Sequence, residues 1–200
     1  MKSLFLLVLF SFLTVLNAQD SGNQLLKSVQ DKFNSVEDLS ADVKQVVNGK
    51  TSFSGKVYFK KDNKFRVELK NSTLISDGST TWNYSKNDKK VVIDLFDTSN
   101  PSALSINTII NEYPAKSNVI TTSENGQSVL VLTPKNDSGR SFNEVKLWVN
   151  KDNLVEKVTV AQTSGKTMNI EITNYKLNQN IPDSQFSFNP PQGTTVIDLR

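Results

Sequence analysis

Short pairs built from Asn, Asp, Ser and Gly punctuate this chain, and between them apolar residues fall on every second position. The pairs are Asn48-Gly49, Asp62-Asn63, Asp77-Gly78 and Asn87-Asp88, then Asn125-Gly126, Ser138-Gly139, Asp152-Asn153 and Ser164-Gly165. Tight hairpins need positive φ at their central residues, which Gly, Asn and Asp tolerate best. The intervening stretches alternate. Phe53, Val57 and Phe59 share one parity, Phe65, Val67 and Leu69 alternate with charged residues, and Trp82 pairs in parity with Tyr84. Val91 to Leu95, Val129 to Leu132, Val145 to Val149, Val158 to Val160 and Met168 to Ile172 continue the series. Period two between turn signals reads as an antiparallel meander. Asp77 belongs to this punctuation and is read as a hairpin corner rather than an acid in an active site, with Ser76 set opposite Ser79.

Two stretches break the period. From Ser21 to Val36, Leu25, Leu26, Val29, Phe33 and Val36 recur at helical spacing, and Ser21 with Gln24 makes a capping box. Between Asp94 and Val119, Asn100-Pro101 reads as a helix start, Leu104, Ile109, Ile110 and Tyr113 as an apolar stripe, and Pro114 as its end. The expected architecture is one curved antiparallel sheet with two or three amphipathic helices over its apolar face.

The chain opens MKSLFLLVLFSFLTVLNAQ, with Lys2 before an apolar run and Ala18 before Gln19. This is the layout of a secretory signal peptide over residues 1–18, and the run is shorter than the roughly 20 apolar residues of a spanning helix. Residues 19–200 are read as a single domain, cleaved near Ala18-Gln19 and exported. There is no histidine and no cysteine. Ser–His and Cys–His catalysis and His or Cys zinc sites are therefore excluded, and neither metal nor cofactor is expected. No cysteine is present to carry a lipid. The formal net charge is +3 with the basic residues scattered along the sequence, which does not read as a nucleic-acid surface.

An apolar sheet face needs a cover, and periodicity alone leaves two outcomes open. Sheet and helices can pack into a filled core, or the helices can form a lid over a greasy cavity. On burial statistics alone the filled core is favoured.

With the N-terminal helix, "FSGKVYFKKDNKFRVE", "LISDGSTTWNY", "LVLTPK" and the closing "FSFNPPQGTTVIDLR" in this order, the chain resembles the outer-membrane lipoprotein carrier family, LolA. The resemblance implies an incomplete β-barrel closed by helices, in the periplasm, whose hydrophobic cavity holds the acyl chains of lipoproteins. It implies a monomer without enzymatic activity. Cargo would come from an inner-membrane lipoprotein-releasing ABC transporter and pass to an outer-membrane acceptor. Carried over by position, the lipid-binding residues would be Val57, Phe59, Phe65, Val67, Leu69 and Trp82 on the sheet. Leu25, Val29 and Phe33 would line the lid helix, and Leu104, Ile109 and Ile110 a second lid segment. Where better-known members carry a latch arginine before proline, this chain has Lys61-Asp62, so Lys61 is the latch candidate. Lysine lacks the planar fork of arginine, and Lys61 reads equally as a solvated turn residue.

Other readings stay open: an acceptor or sensor on the same fold, a hydrolase using two of Asp77, Asp94 and Glu112, or a surface protein with a filled core.

Overall fold

The computed structural model describes residues 13–47, 50–97, 108–135 and 142–200. The protein is mainly β, with few helices and a single open sheet. Helix α1 is Leu13–Asn34. The strands are β1 (Asp38–Val47), β2 (Lys50–Lys60), β3 (Lys64–Leu69), β4 (Ser72–Asp77), β5 (Thr80–Ser85) and β6 (Lys90–Leu95). A π-helical turn, Thr108–Glu112, leads into the short α2 (Tyr113–Ala115). Then follow β7 (Ser117–Glu124), β8 (Gln127–Pro134), β9 (Phe142–Val149), β10 (Val155–Gln162), β11 (Thr167–Leu177), a 3-10 turn at Asp183–Phe186 and β12 (Thr195–Asp198).

The chain divides into two compact units. One comprises Met1–Phe33 and Ile110–Thr167, the other Asn34–Ile109 and Met168–Arg200. In the first, strand order is β10-β9-β8-β7. Asn125 and Gly126, both at positive φ, close the β7–β8 hairpin so that Glu124 faces Gln127, the tight turn expected of Asn-Gly. Val129, Leu130, Val131 and Leu132 are all buried, so β8 is covered on both faces. Val29 of α1 is 3% exposed, and Gln30 donates to the Ile110 carbonyl at 3.1 Å. This bond ties the helix to the π-helical turn.

In the second unit the order is β12-β6-β5-β4-β3-β2-β1-β11. Consecutive strands pair antiparallel as expected, but β12 adds to β6 in parallel, with Val196 opposite Val91. Strand β1 sits between β2 and β11. Its first residue, Asp38, is 2% exposed; its carboxylate accepts the N–H of Gln179 at 2.8 Å and of Ile181 at 3.2 Å. Asn178 and Asn180 adopt positive φ on either side of Gln179. The chain leaving β11 thereby folds around a buried carboxylate whose lone pairs are used.

Three local expectations are corrected. Helix α1 does not begin at Ser21 but runs through it from at least Leu13, and it ends at Asn34. No proline interrupts Leu13–Asn34, and Gly22 alone costs only about 1 kcal/mol, too little to stop the helix. Pro114 does not close a helix but lies within the first turn of α2, where its missing N–H needs no partner. The Asp77-Gly78 hairpin is longer than two residues: Ser76 faces Thr81, not Ser79, and only Gly78 has positive φ there.

Candidate functional site

The register of the second unit sorts its side chains onto two faces, because directly opposed residues in antiparallel strands point the same way. On one face Phe59 faces Phe65, Val57 faces Val67 and Gly55 faces Leu69, and Val67 in turn faces Leu74. Leu39 and Ala41 of β1 extend this face opposite Phe59 and Val57, and Ile172 and Ile170 of β11 extend it opposite Val43 and Gln45. The strip is apolar over five adjacent strands. Phe65 is buried, its ring edge-on to Phe96 with centroids 6.1 Å apart. Val57, Phe59, Val67, Leu69 and Leu74 are only half-buried. Apolar area left partly open to water across neighbouring strands is what a binding surface requires.

The opposite face is sealed at Ile75, Val91 and Ile93. Arg66 faces Ile75, Ile75 faces Trp82, and Trp82 faces Ile93. Phe186, from the 3-10 turn, is fully buried, as are Ile75 and Val91. Phe188 packs on Tyr84 with ring centroids 5.1 Å apart. Lysines fasten this closing segment: Lys60 donates to Asp183 at 2.6 Å and to the Ile181 carbonyl at 3.0 Å, and Lys64 donates to Asp183 at 2.9 Å. Hydrogen bonds from both lysines hold the Asp183 carboxyl at about 2.

Of the sheet residues singled out in the sequence, Val57, Phe59, Phe65, Val67 and Leu69 are brought together. Trp82 is not among them. Its register with Ile75 and Ile93 sets it on the sealed face, the reverse side of the sheet. Leu74 and the β1 and β11 residues were missed. The alternation of Leu39, Ala41 and Val43 with Asp38, Ser40 and Asp42 was the available signal.

In the first unit, Val29 is buried and Leu25 and Phe33 half-buried along one side of α1, and Ile110 is 7% exposed. The Gln30–Ile110 bond joins the two helical segments expected as lids. Ile109 lies in the π-helical turn, and Leu104 falls outside the described residues. Leu25 also borders a groove of about 530 Å³, lined by the turns at Asn125–Ser128 and Val149–Asn153. That groove is mostly polar, and Leu25 is the one candidate lipid-binding residue on its wall.

Lys61 is exposed. Its ammonium pairs with the Glu37 carboxylate, and its N–H donates to the Glu37 carbonyl at 3.1 Å. It thereby pins the β2–β3 turn to the approach to β1, and a latch at this position has to surrender that ion pair.

Asp77 is a corner. Its Oδ1 accepts the N–H of Thr80 at 2.8 Å, the N–H of Ser79 at 2.9 Å and the Ser79 hydroxyl at 3.0 Å. Partial burial pushes its pKa up, but these three donors outweigh it and hold the carboxyl below its ordinary value. A carboxylate so engaged is a turn-former and a poor proton carrier.

The family model for the outer membrane lipoprotein carrier protein LolA matches residues 34–189. The chain belongs to this family. An outer-membrane lipoprotein carrier protein of Francisella tularensis is 26% identical, covering 99% of this chain and 98% of that one. An uncharacterized protein of Methanocaldococcus jannaschii is 27% identical over 98% of this chain, which spans 59% of the archaeal protein's length. Among solved structures, a conserved protein of Thermus thermophilus is similar with a TM-score of 0.61, covering 89% of this chain and 99% of that one at 16% identity. That likeness is one of fold. The family is named for carriage of lipoproteins, not for catalysis.

Proposed function

We propose that this protein carries lipoproteins through the periplasm by holding their acyl chains against the half-open apolar face of the second unit. One observation supports this above the rest: on β4 the two faces differ, with Ile75 fully buried and its neighbour Leu74 half-buried, and the half-buried side continues across β3 and β2. Ile75, Val91 and Phe186 are sealed on one side, while Val57, Phe59, Val67 and Leu69 keep partial exposure on the other. A sheet built only for stability would have both faces shut or one face polar.

The energetics suit the task. Each buried methylene is worth about 0.8 kcal/mol, so three acyl chains exposed to water would cost tens of kcal/mol. A carrier needs apolar area without directional bonds, and Val57, Phe59, Val67, Leu69 and Leu74 supply it. In the first unit Leu25 and Phe33 of α1, both half-buried, offer a further apolar surface to acyl chains. The partners follow the family: release from an inner-membrane ABC transporter and delivery to an outer-membrane acceptor. Residues 1–18 act as the export signal in this reading, and cleavage at Ala18-Gln19 makes Ser21 the cap of a shortened α1.

The experiment is to purify the protein as the cell produces it and identify what travels with it by mass spectrometry. Acylated lipoproteins are expected, displaceable by a fluorescent fatty acid. Recovery free of lipid-modified protein, together with no binding of the probe, rejects the carrier.

A further inference from the structure

The second unit is electrically polarised along its strands. At one end, the turns after β2 and β4 and the segment around β12 gather Asp62, Asp77, Asp183 and Asp198, and the basic groups among them are committed. Lys60 and Lys64 lie on Asp183, Lys61 on Glu37 and Arg200 on Asp198. At the other end, the β3–β4 and β5–β6 turns bring together Lys70, Lys86, Lys89 and Lys90. All four are exposed, and none forms an ion pair with a described carboxylate. Against four lysines, residues 69–72 and 86–90 contain one acid, Asp88, whose carboxylate accepts the Ser85 hydroxyl at 2.6 Å.

The turns are fixed to one another. Lys86 donates its backbone N–H to Asn71 at 2.9 Å and its ammonium to the Leu69 carbonyl at 2.8 Å. Thr195 donates to the Lys89 carbonyl at 2.8 Å, which places β12 beside Lys90. The four lysines therefore spread over β3 to β6, about 15 Å at the usual strand spacing. Val196, on β12 opposite Val91, stands 49% exposed at the rim of this cluster.

We propose that this basic end is a docking surface for an anionic phospholipid bilayer. Fixed lysines on adjacent turns meet a plane of headgroup phosphates together, and each lies within a Debye length of the surface once docked. The exposed Val196 adds shallow apolar contact of the kind interfacial segments use. At the opposite end five carboxylates face Lys60, Lys61, Lys64 and Arg200 and nearly balance them, so the attraction is concentrated at the lysine end and the unit approaches with one orientation. Leu69 closes the apolar face at this end, so docking brings that face to the headgroups. The docking claim stands on the lysines alone and does not require that acyl chains be carried.

The test is cosedimentation with vesicles of phosphatidylglycerol mixed with phosphatidylcholine, and with phosphatidylcholine alone. A K70Q/K89Q/K90Q triple variant is compared with a K151Q/K166Q/K176Q triple variant, which removes the same charge from exposed positions elsewhere. Wild type should bind the anionic vesicles, ignore the neutral ones and be released by high salt. Each lysine near such a surface is worth about a fivefold change in affinity, so the first triple variant should lose about a hundredfold. The second should bind within a fewfold of wild type. Absence of wild-type binding to anionic vesicles, equal loss in both triple variants, or unaltered binding by the first overturns the proposal. Unchanged thermal melts for both variants exclude unfolding as the cause of a loss.

Discussion

The Lys60 ammonium donates to the Asp183 carboxylate at 2.6 Å and, with the Ile181 carbonyl, fastens the closing segment onto the sealed sheet face. The bond joins positions 123 residues apart in the chain. It sets which side of the sheet the C-terminal residues cover, and therefore which side they leave half-open.

The first prediction concerns this bond and acid. Hydrogen bonds from Lys60 and Lys64 lower the Asp183 pKa from 3.8 to about 2. A depressed folded-state pKa means that the unfolded chain binds the proton more readily, so the contribution is full above about 4 and is lost as pH falls towards 2. Asp183→Asn lacks that contribution at every pH. Urea midpoints for wild type and Asp183→Asn should differ at neutral pH and converge between pH 4 and pH 2. The gap should be modest, since Asp183 is largely solvent-facing and exposed ion pairs are weak. A gap independent of pH over that range would show that the pair does not couple to folding.

A second prediction concerns the corner at Asp77. Asn presents the same side-chain oxygen to the Thr80 and Ser79 donors, so Asp77→Asn should cost under about 1 kcal/mol and leave lipid-probe binding intact. Asp77→Ala strips all three hydrogen bonds and should cost about 1 to 2 kcal/mol. Loss of function in Asp77→Asn at an unchanged melting temperature would instead assign chemistry to the carboxylate.

The meander was legible because its turns carry their own chemistry. Asn125-Gly126 adopts the paired positive φ values that its residue types favour, and register follows from it. The placement of Trp82 was not legible. Its face relative to Val67 depends on the β3–β4 connection at Lys70-Asn71, which contains no Gly. A slip of one residue there exchanges the faces of every later strand. Strand β1 escaped because it opens on Asp38, whose burial makes sense only once residues 178–181 fold around it. The alternation of Leu39, Ala41 and Val43 is present, but the partners that make sense of Asp38 lie more than a hundred residues away.

The third prediction uses glycine to test how closely β2 and β3 approach. A Cβ at Gly55 would lie 2.1 Å from the Glu68 carbonyl oxygen and 2.8 Å from Leu69 Cδ2. Gly55→Ala must push the strands apart or displace Leu69 from the apolar face, at a cost of about 1 to 3 kcal/mol. At Gly126 a Cβ meets nothing within 4 Å, and only its φ of +79° opposes a side chain. Gly126→Ala should therefore cost about 1 kcal/mol through backbone strain alone. Thermal melts should rank Gly55→Ala as the more damaging, and only Gly55→Ala should also weaken fatty-acid binding.

The last prediction sets the two faces of one sheet against each other. Ile75 is fully buried on the sealed face, and Val67, on neighbouring β3, is half-buried on the other. Ile75→Ala removes packed methyl groups and should cost about 2 to 5 kcal/mol. Val67→Ala should cost less, since part of that side chain already meets no protein, and it should lower affinity for acyl chains by removing contact area. Enlargement separates the faces more sharply. A buried site resists added volume by about 1 to 3 kcal/mol or more, so Ile75→Trp should unfold or severely destabilise the protein. Val67→Trp should keep its melting temperature within a few degrees while changing the binding of a fluorescent fatty acid, because the indole occupies surface that cargo would use. Equal destabilisation by the two tryptophans, with no fatty acid bound by wild type, would mean that both faces are closed and that the sheet carries nothing.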